Sequence, residues 1–213
     1  MLNGDEPTLD ELKLLDSCGA IVCADGAARA LLKADRPPTL IIGDLDSLDP
    51  DAYKWADALD VPIERHPIDK DQTDGELALE KVLEMDPNSV LILGGHGGRT
   101  AMFLANLKLL RRCHDRGLPA AMVGHGESVR FVSEGGELSL TGRTGYPLDI
   151  LAIDGRAVAT VVGTAFDAEG LELRSRSARG VSNRINQDAA HISVQSGTIL
   201  VIVGREAPKS SRD

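Results

Sequence analysis

The stretch Thr39-Leu-Ile-Ile-Gly-Asp-Leu-Asp-Ser47 places four apolar or β-branched side chains directly before a glycine and two aspartates. A short apolar run that ends in turn-forming residues is typical of a buried strand in a parallel sheet. Open α/β sheets bind their ligands at the carboxyl ends of the strands, where Asp44 and Asp46 lie. On extended backbone, residues two apart share a face, so we expect both carboxylates to point the same way.

Two interpretations of this aspartate pair remain open at this point. Neighbouring carboxylates repel each other unless a cation lies between them, and Mg²⁺ bridging to a nucleotide phosphate is a common arrangement. The alternative is a polar turn that closes the strand, with Asp46 or Ser47 capping the next helix. Acidic and glycine-rich connections elsewhere in the chain favour the metal site.

Two further connections before predicted helices carry acidic side chains. Asp25 follows the apolar run 19–24 and precedes a helix predicted over 27–34, so its simplest role is a helix N-cap. The run Asp69-Lys-Asp-Gln-Thr-Asp74 precedes a helix predicted over 75–85. Capping explains one of its three aspartates, which makes Asp71, Thr73 and Asp74 candidate site residues.

A glycine-rich turn follows the clearest buried strand of the chain, predicted over 89–93. Its sequence is Gly94-Gly-His-Gly-Gly-Arg99. Backbone N–H groups of such a turn can bind a phosphate, and the arginine guanidinium suits phosphate oxygens. The spacing matches neither the Walker nor the dinucleotide fingerprint, and glycines also serve tight turns.

The pattern changes near residue 124, and this change divides the chain into two predicted domains. Residues 1–124 alternate strands with helices, which predicts an α/β domain with a parallel sheet. Residues 125–213 contain only short strands separated by glycine turns, which predicts an all-β sandwich or barrel. The loop 175–185 carries serines, an asparagine and arginines that could bind a small polar ligand or simply form a solvated turn.

Composition excludes several classes of protein. The net charge of −10 argues against nucleic acid or an anionic membrane as a partner. Three cysteines without a CxxC pair indicate neither a zinc site nor a disulfide framework, and they suit the cytoplasm. No signal peptide or membrane-spanning run is visible. The tail 207–213 is predicted to be disordered.

Taken together, these motifs resemble the thiamin pyrophosphokinase family. The resemblance covers nearly the whole chain in order, and it rests on the following stretches: Asn3-Gly4, Ala24-Asp-Gly-Ala-Ala28, Pro38 through Ser47, Asp71-Gln-Thr-Asp74 with Glu76 to Leu79, Gly94 through Arg99 with Leu104-Ala-Asn106, and Arg179-Gly-Val-Ser-Asn183. The combination of Gly-Asp-Leu-Asp-Ser with Asp-Gln-Thr-Asp is its most specific part.

The resemblance implies a Rossmann-like α/β domain that binds ATP with Mg²⁺, followed by a β-sandwich that binds the acceptor. It also implies a homodimer with sites at the subunit interface. The implied reaction transfers pyrophosphate from ATP to thiamine and releases AMP. Mapped onto this sequence, the metal ligands are Asp44, Asp46 and Asp74, with Asp25 and Asp71 as further catalytic candidates. The expected nucleotide contacts are Thr73, Gly94, Gly95, Gly98, Arg99 and Asn106, and the expected acceptor contacts are Ser182, Asn183 and Leu173.

Three departures from the family pattern keep alternatives open. Ala101 stands where the family usually has an aspartate, and Leu173 stands where an aromatic ring usually lies against thiamine. The first strand, ending at Asn3-Gly4, is incomplete or very short. One alternative is therefore a pyrophosphokinase of another hydroxymethyl heterocycle, such as a pterin. A second is a catalytically degenerate nucleotide-binding relative, and a third is a purely structural α/β protein.

Overall fold

The computed structural model describes residues 1–204, and the predicted disordered tail 207–213 lies outside them. The chain divides into two compact units, Met1–His125 and a second unit that begins at Gly126. No helix among residues 1–204 has the length and apolar character needed to cross a membrane.

The first unit alternates strands and helices, as the sequence predicts. Strands β1, β2 and β3 are parallel neighbours in the order β1-β2-β3, and β4 and β5 form a second parallel pair. The elements in chain order are α1 (Leu9–Leu12), β1 (Val22–Ala24), α2 (Ala28–Lys33), β2 (Leu40–Gly43), α3 (Pro50–Ala58), β3 (Ile63–Arg65), α4 (Asp74–Glu84), β4 (Val90–Leu93), α5 (Thr100–His114) and β5 (Ala120–Gly124).

The first four residues join these two groups of strands. Met1 exchanges backbone hydrogen bonds with β1, since its amino group donates to the Val22 carbonyl and its own carbonyl accepts from Ala24 N–H. On the other side, Leu2 N–H donates to the Leu93 carbonyl at the end of β4. The segment therefore lies between β1 and β4, in the position of the short first strand that the sequence predicts.

Alternation along the strands explains why helices cover both faces of this layer. Cys23 and Ile41 belong to one buried cluster with residues of α1, α2 and α3. Their neighbours Val22 and Ile42 belong to another cluster, which includes Leu77 of α4. Successive strand residues point to opposite faces, so strands apolar at every position need helices on both sides. The Rossmann-like α/β architecture is confirmed.

The second unit is a β-sandwich of two antiparallel sheets. One sheet has the order β10-β9-β12-β7, and in the other β11, β8, β13 and β6 are successive neighbours. Side chains from both sheets share one buried cluster, so the sandwich interpretation is confirmed over the barrel. The strands are β6 (Glu127–Ser133), β7 (Glu137–Thr141), β8 (Pro147–Ala152), β9 (Arg156–Val162), β10 (Ala168–Arg174), β11 (Asn183–Arg184), β12 (Ala189–Ser196) and β13 (Thr198–Gly204).

Candidate active site

Three aspartates from separate connections of the first unit converge in space. Asp25 follows β1, Asp44 follows β2, and Asp74 opens α4. One carboxylate oxygen of each lies within 4.8 Å of the others. We call these three residues the carboxylate cluster. It forms because the carboxyl ends of adjacent parallel strands meet at one edge of the sheet.

Asp25 is the buried member of the cluster, with 3% of its surface exposed. Its two carboxylate oxygens accept hydrogen bonds from the N–H groups of Gly26 (2.7 Å) and Leu45 (2.9 Å). Burial raises the pKa of this carboxyl, and the nearby negative charges of Asp74 and Asp44 add to the effect, although the two N–H donors oppose it. Asp25 therefore ties the end of β1 to the loop after β2. A nearby positive charge would stabilise its ionised form.

The backbone after β2 differs from the extended path that the sequence analysis assumes. The strand ends at Gly43, and Leu45 adopts a left-handed φ of 71°. The expectation that Asp44 and Asp46 share a face on extended backbone is therefore wrong. Asp46 is exposed and lies outside the cluster, with its N–H donating to Asp44 Oδ1 at 3.1 Å. This bond is the main reason that the pKa of Asp44 falls below its ordinary value.

The alternative capping role of Asp46 and Ser47 does not hold either. Helix α3 is capped by Asp49, whose side chain accepts from the N–H groups of Asp51 and Ala52. Ser47 instead donates its hydroxyl hydrogen bond to Asp46 Oδ1 at 2.9 Å. Asp44 therefore takes no part in capping α3.

Lys70 places a positive charge inside the cluster. Its ammonium lies 3.1 Å from Asp74 Oδ1 and 3.5 Å from Asp44 Oδ2, and only 14% of its side chain is exposed. Burial lowers the pKa of Lys70, but the carboxylates of Asp74 and Asp44 outweigh burial, so the net shift is upward. The ammonium thus balances part of the negative charge that the three aspartates concentrate here.

The donor set of the cluster suits a hard divalent cation. All three candidate ligands are carboxylate oxygens, which Mg²⁺ and Ca²⁺ prefer. Asp74 Oδ1 is shielded from solvent, and within residues 1–204 its partner is the Lys70 ammonium at 3.1 Å. A metal ion bound between the carboxylates could take over the neutralising role of that ammonium. The cluster can therefore hold a metal.

The two other candidates of the run 69–74 differ in their surroundings: Thr73 has a structural role, and Asp71 is exposed to solvent. Thr73 forms a capping box with Glu76, since each side chain accepts from the other residue's backbone N–H. This box fixes the start of α4 and so the position of Asp74. Asp71 is exposed to solvent close to the cluster in sequence. The predicted nucleotide contact of Thr73 therefore competes with a structural role that already occupies its hydroxyl.

Close packing accounts for the first two glycines of the glycine-rich turn. A Cβ on Gly94 would lie 2.1 Å from the Leu2 carbonyl oxygen, and Gly94 has a left-handed φ of 68°. A Cβ on Gly95 would lie 2.4 Å from Met122 Sδ. These two glycines are required by neighbouring chain segments, whatever the turn binds.

The end of the turn is open to solvent instead. Gly98 has a φ of 63° and space around its Cα, and Arg99 is exposed at the N-cap of α5. No side chain caps this helix, so its first N–H groups face outward. Asn106 is buried and donates from Nδ2 to the Gly95 carbonyl at 2.9 Å, which anchors the turn to α5. Arg99 and Gly98 are thus available to a ligand, whereas Asn106 supports the turn from behind.

A cavity of about 570 Å³ opens in the first unit near this edge of the sheet. It is lined by the N-terminal segment, by residues around Gly26 and Arg29, and by the connection from Asp46 to Pro50. Its volume lies in the range of about 300 to 1,000 Å³ that small-molecule sites occupy. Asp46 therefore lines this cavity. In sequence it is two residues from Asp44 of the carboxylate cluster, and Gly26, which also lines the cavity, follows Asp25.

In the second unit, the predicted acceptor contact Asn183 is engaged within the fold. Its Oδ1 accepts from Phe166 N–H at 3.1 Å, and its Nδ2 donates to the Phe166 carbonyl and to Thr164 Oγ1. Ser182 is exposed with a left-handed φ of 63°. The Asn183 amide therefore fixes a neighbouring turn, and Ser182 keeps its hydroxyl open to solvent.

Leu173 does not occupy the position that the sequence analysis assigns to it. Its side chain is 1% exposed and belongs to the sandwich core, so the predicted contact with an acceptor is wrong for this structure. Strand alternation explains this, since the neighbours Glu172 and Arg174 point outward and pair with each other. The exposed aromatic ring of this region is Phe166, 71% exposed on the turn that Asn183 holds.

Comparison with known proteins places this geometry in a family. The sequence pattern of the thiamin pyrophosphokinase catalytic domain matches residues 12–122, slightly more than half of the chain. The chain belongs to the thiamin pyrophosphokinase family. A curated relative, the thiamine pyrophosphokinase of Bacillus subtilis (strain 168), is 35% identical over 86 residues, and this alignment spans 40% of either protein.

Solved thiamin pyrophosphokinase structures share the fold of the whole chain. The Bacillus subtilis enzyme superposes with a TM-score of 0.86 at 20% identity, covering 96% of this chain and 97% of that one. The Geobacillus thermodenitrificans enzyme gives a TM-score of 0.83 at 23% identity, covering 97% and 96%. The predicted order of an α/β part followed by antiparallel β-sheets is therefore that of the thiamin pyrophosphokinase fold.

Sequence reasoning missed two residues that the structure brings out: Lys70 beside the carboxylate cluster in the first unit, and the exposed Phe166 in the second. Lys70 stands between two aspartates in a charged run, where a lysine is usually solvated, and only the distances identify its partners. Phe166 lies outside the quoted motifs, and its exposure depends on the turn fixed by Asn183. The sequence signal for Phe166 is the rarity of its residue type, since the chain has only three phenylalanines.

Proposed function

We propose that this protein transfers pyrophosphate from ATP to thiamine, giving thiamine diphosphate and AMP. The observation that carries the proposal is the convergence of Asp25, Asp44 and Asp74 in a member of the thiamin pyrophosphokinase family. Transfer between polyanions depends mainly on positioning and on neutralising charge at phosphate oxygens. The carboxylate cluster, with the exposed Arg99 and the start of α5 in the same unit, can meet both needs.

In this proposal Mg²⁺ is held by Asp25, Asp44 and Asp74. When bound, the ion neutralises charge on the phosphate oxygens of ATP. Asp46 assists by donating its N–H to Asp44, which keeps that carboxylate ionised and oriented. Lys70 supplies positive charge to the same carboxylates when no metal is bound, and its ammonium can turn to a phosphate oxygen when the ion takes its place.

The open end of the glycine-rich turn binds the phosphates in this account. Arg99 and the N–H groups at the start of α5 approach them, and Gly98 allows that approach because no side chain intervenes. Gly94, Gly95 and Asn106 hold the turn in shape through the contacts described above. Thr73 acts in the same indirect way, by fixing the helix that carries Asp74.

For the proton of the acceptor hydroxyl, we favour Asp71 over Asp25 as general base. Both oxygens of Asp25 already accept backbone hydrogen bonds, and the residue is buried. Asp71 is exposed and free to approach an incoming hydroxyl. The hydroxyl oxygen attacks the β-phosphorus, the bond from that phosphorus to the α-phosphate oxygen breaks, and AMP leaves while Asp71 takes the proton.

On the acceptor side, we propose that Phe166 provides the aromatic surface that Leu173 does not. The ring is exposed, Asn183 bonds to both the backbone N–H and the carbonyl of Phe166, and Ser182 immediately precedes Asn183 in the chain. A cation against a phenylalanine face gains about 0.5 to 2 kcal/mol. The thiazolium ring of thiamine carries such a positive charge.

We further propose a cytoplasmic homodimer, as the family resemblance and the absence of a CxxC pair suggest.

The deciding experiment measures AMP release from ATP and Mg²⁺ with different acceptors. Thiamine is expected to support AMP formation, and a hydroxymethyl pterin is not. Turnover with the pterin alone would establish the rival acceptor class. AMP from neither acceptor, with saturable ATP binding by calorimetry, would identify a degenerate nucleotide-binding relative and end the proposal.

A further inference from the structure

A second polar cavity lies in the sandwich unit, and the proposed reaction does not use it. Its volume is about 250 Å³. Two arginines, Arg130 and Arg143, line it together with the hydroxyl residues Ser128, Ser139 and Thr141. The rest of the lining is aliphatic, and no acidic side chain of residues 1–204 takes part.

Arg130 extends from the face of β6 that elsewhere forms the core. It pairs directly with Val201 on β13, and Ser128 pairs with Val203. Directly paired residues project from the same face of a sheet, and both valines are almost fully buried in the sandwich core. Two positions further along, Val132 also belongs to that core. The inner row of β6 therefore changes from apolar to hydroxyl and cationic at the end that borders the cavity.

Within residues 1–204, neither arginine of the cavity has a counter-ion, since Arg130 and Arg143 form no ion pair and no side-chain hydrogen bond there. What distinguishes them from other unpaired arginines is that both line the same cavity. Burial lowers the pKa of Arg130, and the positive charge of Arg143 lowers it further. An anion bound in the cavity would offset the repulsion between the two guanidinium groups.

We propose that this cavity binds a small phosphate-type oxyanion between Arg130 and Arg143. Guanidinium groups bind phosphate oxygens through paired N–H donors, and Ser128, Ser139 and Thr141 supply hydroxyl donors around them. The volume lies below the range of about 300 to 1,000 Å³ typical of sites for whole small molecules. The ligand is therefore inorganic phosphate or the phosphate group of a monoester whose remainder stays in solvent.

The test is a titration followed by ¹H–¹⁵N NMR, which reports where the anion binds. Inorganic phosphate and methyl phosphate are added in separate arms, with sodium chloride at matched ionic strength as reference. We expect saturable shifts at the backbone amides of Ser128, Arg130 and Arg143, beyond those caused by chloride. Binding at the glycine-rich turn of the first unit shifts a different set of amides, so the two sites are read separately.

Arg130→Met and Arg143→Met should each weaken the phosphate-dependent shifts in the cavity at least tenfold. Arg156→Met removes one positive charge from the same unit away from the cavity and should leave them unchanged. Tighter binding of methyl phosphate than of phosphate would identify a monoester as the ligand, and equal or weaker binding would identify free phosphate.

Three results would overturn the proposal. The first is the absence of saturable shifts in the unsubstituted protein, and the second is their persistence in both arginine variants. The third is a dependence of the cavity shifts on protein concentration without phosphate, which would mean that a second copy of the chain covers the arginines. Each variant is checked for an unchanged amide spectrum outside the cavity, so that misfolding is recognised. None of these outcomes depends on pyrophosphate transfer.

Discussion

The carboxylate cluster and the loop around Asn183 both contain the polar residues expected of a site, but they use them differently. In the cluster, Lys70 is the partner of Asp74 Oδ1 within residues 1–204, and its ammonium balances part of the negative charge. Around Asn183, every polar atom of the amide bonds to Phe166, Thr164 or the neighbouring backbone. The carboxylate cluster can therefore still bind a cation, whereas the polar groups around Asn183 hold the turn that carries Phe166.

This difference predicts that substitutions in the cluster remove chemistry, while substitutions around Asn183 change the fit of the acceptor. The largest expected effect comes from Asp44→Asn and Asp74→Asn. Each removes a charge from the proposed Mg²⁺ site, and AMP formation should fall at least about 100-fold, the order of loss seen when one electrostatic stabiliser is removed. Steady-state AMP release with ATP and thiamine measures it.

Asp51→Asn is the matched control for these variants, because Asp51 is an exposed aspartate of α3 paired only with Lys54. Its rate should equal that of the unsubstituted protein. Asp46→Asn should lose much less activity than Asp44→Asn, because the N–H that Asp46 donates to Asp44 belongs to the backbone and is kept in the variant. Equal loss at Asp46 and Asp44 would instead restore Asp46 as a direct metal ligand.

The second prediction concerns the charge that Lys70 supplies. Lys70→Met leaves Asp44 and Asp74 without their ammonium, so the free energy of unfolding without metal should drop by about 1 to 2 kcal/mol. Mg²⁺ should restore most of this loss, since the ion replaces the missing charge. Urea unfolding with and without Mg²⁺ gives both values. Lys54→Met, on the exposed face of α3, should cost little, and a loss at Lys70 that Mg²⁺ leaves untouched would contradict the balancing role.

The third prediction tests the acceptor side. Phe166→Ala should raise the KM for thiamine about 2- to 30-fold, because a cation–π contact of about 0.5 to 2 kcal/mol is lost. The KM for ATP should stay unchanged. Phe166→Tyr keeps the aromatic face and should stay close to the unsubstituted enzyme. A KM for thiamine unaffected by Phe166→Ala would show that the exposed ring has another purpose.

The smallest expected effect is a pH dependence of stability from His96. Its ring is buried, and both nitrogens lack hydrogen-bond partners within residues 1–204. Burial, followed by the charge of His125, lowers its pKa, although Glu11 and Asp5 oppose this. An ordinary unfolded histidine binds its proton near pH 6.5. Below that pH the unfolded chain holds more protons than the folded one, so stability falls as the pH falls toward the lowered pKa of His96.

His96→Leu should therefore flatten the decline in unfolding free energy between pH 7 and pH 5, by about 1.4 kcal/mol for each unit of pKa shift. His191→Leu, at an exposed position of β12, should leave the slope as it is. Identical slopes in the His96 variant and the unsubstituted protein would show that this histidine does not titrate abnormally.

Local patterns were sufficient to predict the fold. Apolar strands such as 90–93 need helices on both faces, and the glycine-separated strands after residue 126 form a sandwich. The strand ends also pointed to the edge of the sheet at which Asp25, Asp44 and Asp74 converge. These features depend on the periodicity of apolar residues and on their burial, and both can be read from residues that are close together in the sequence.

The composition of the site was less predictable, because it depends on distances between separate segments. The carboxylate cluster contains Asp25 and not Asp46, and the left-handed turn at Leu45, between Asp44 and Asp46, is something that no local pattern indicates. Leu173 was expected at a ligand, but the register of β10 turns it into the core. The two cavity arginines come together only through the pairing of strands distant in sequence.

The most direct test of the central claim is a crystal structure with Mn²⁺ in place of Mg²⁺ and a non-hydrolysable ATP analogue, read by anomalous scattering. The account predicts a peak bonded to Asp25, Asp44 and Asp74, with the Lys70 ammonium displaced and analogue phosphates near Arg99. A peak that is absent from these three carboxylates, or present while Lys70 keeps its place among them, would contradict it.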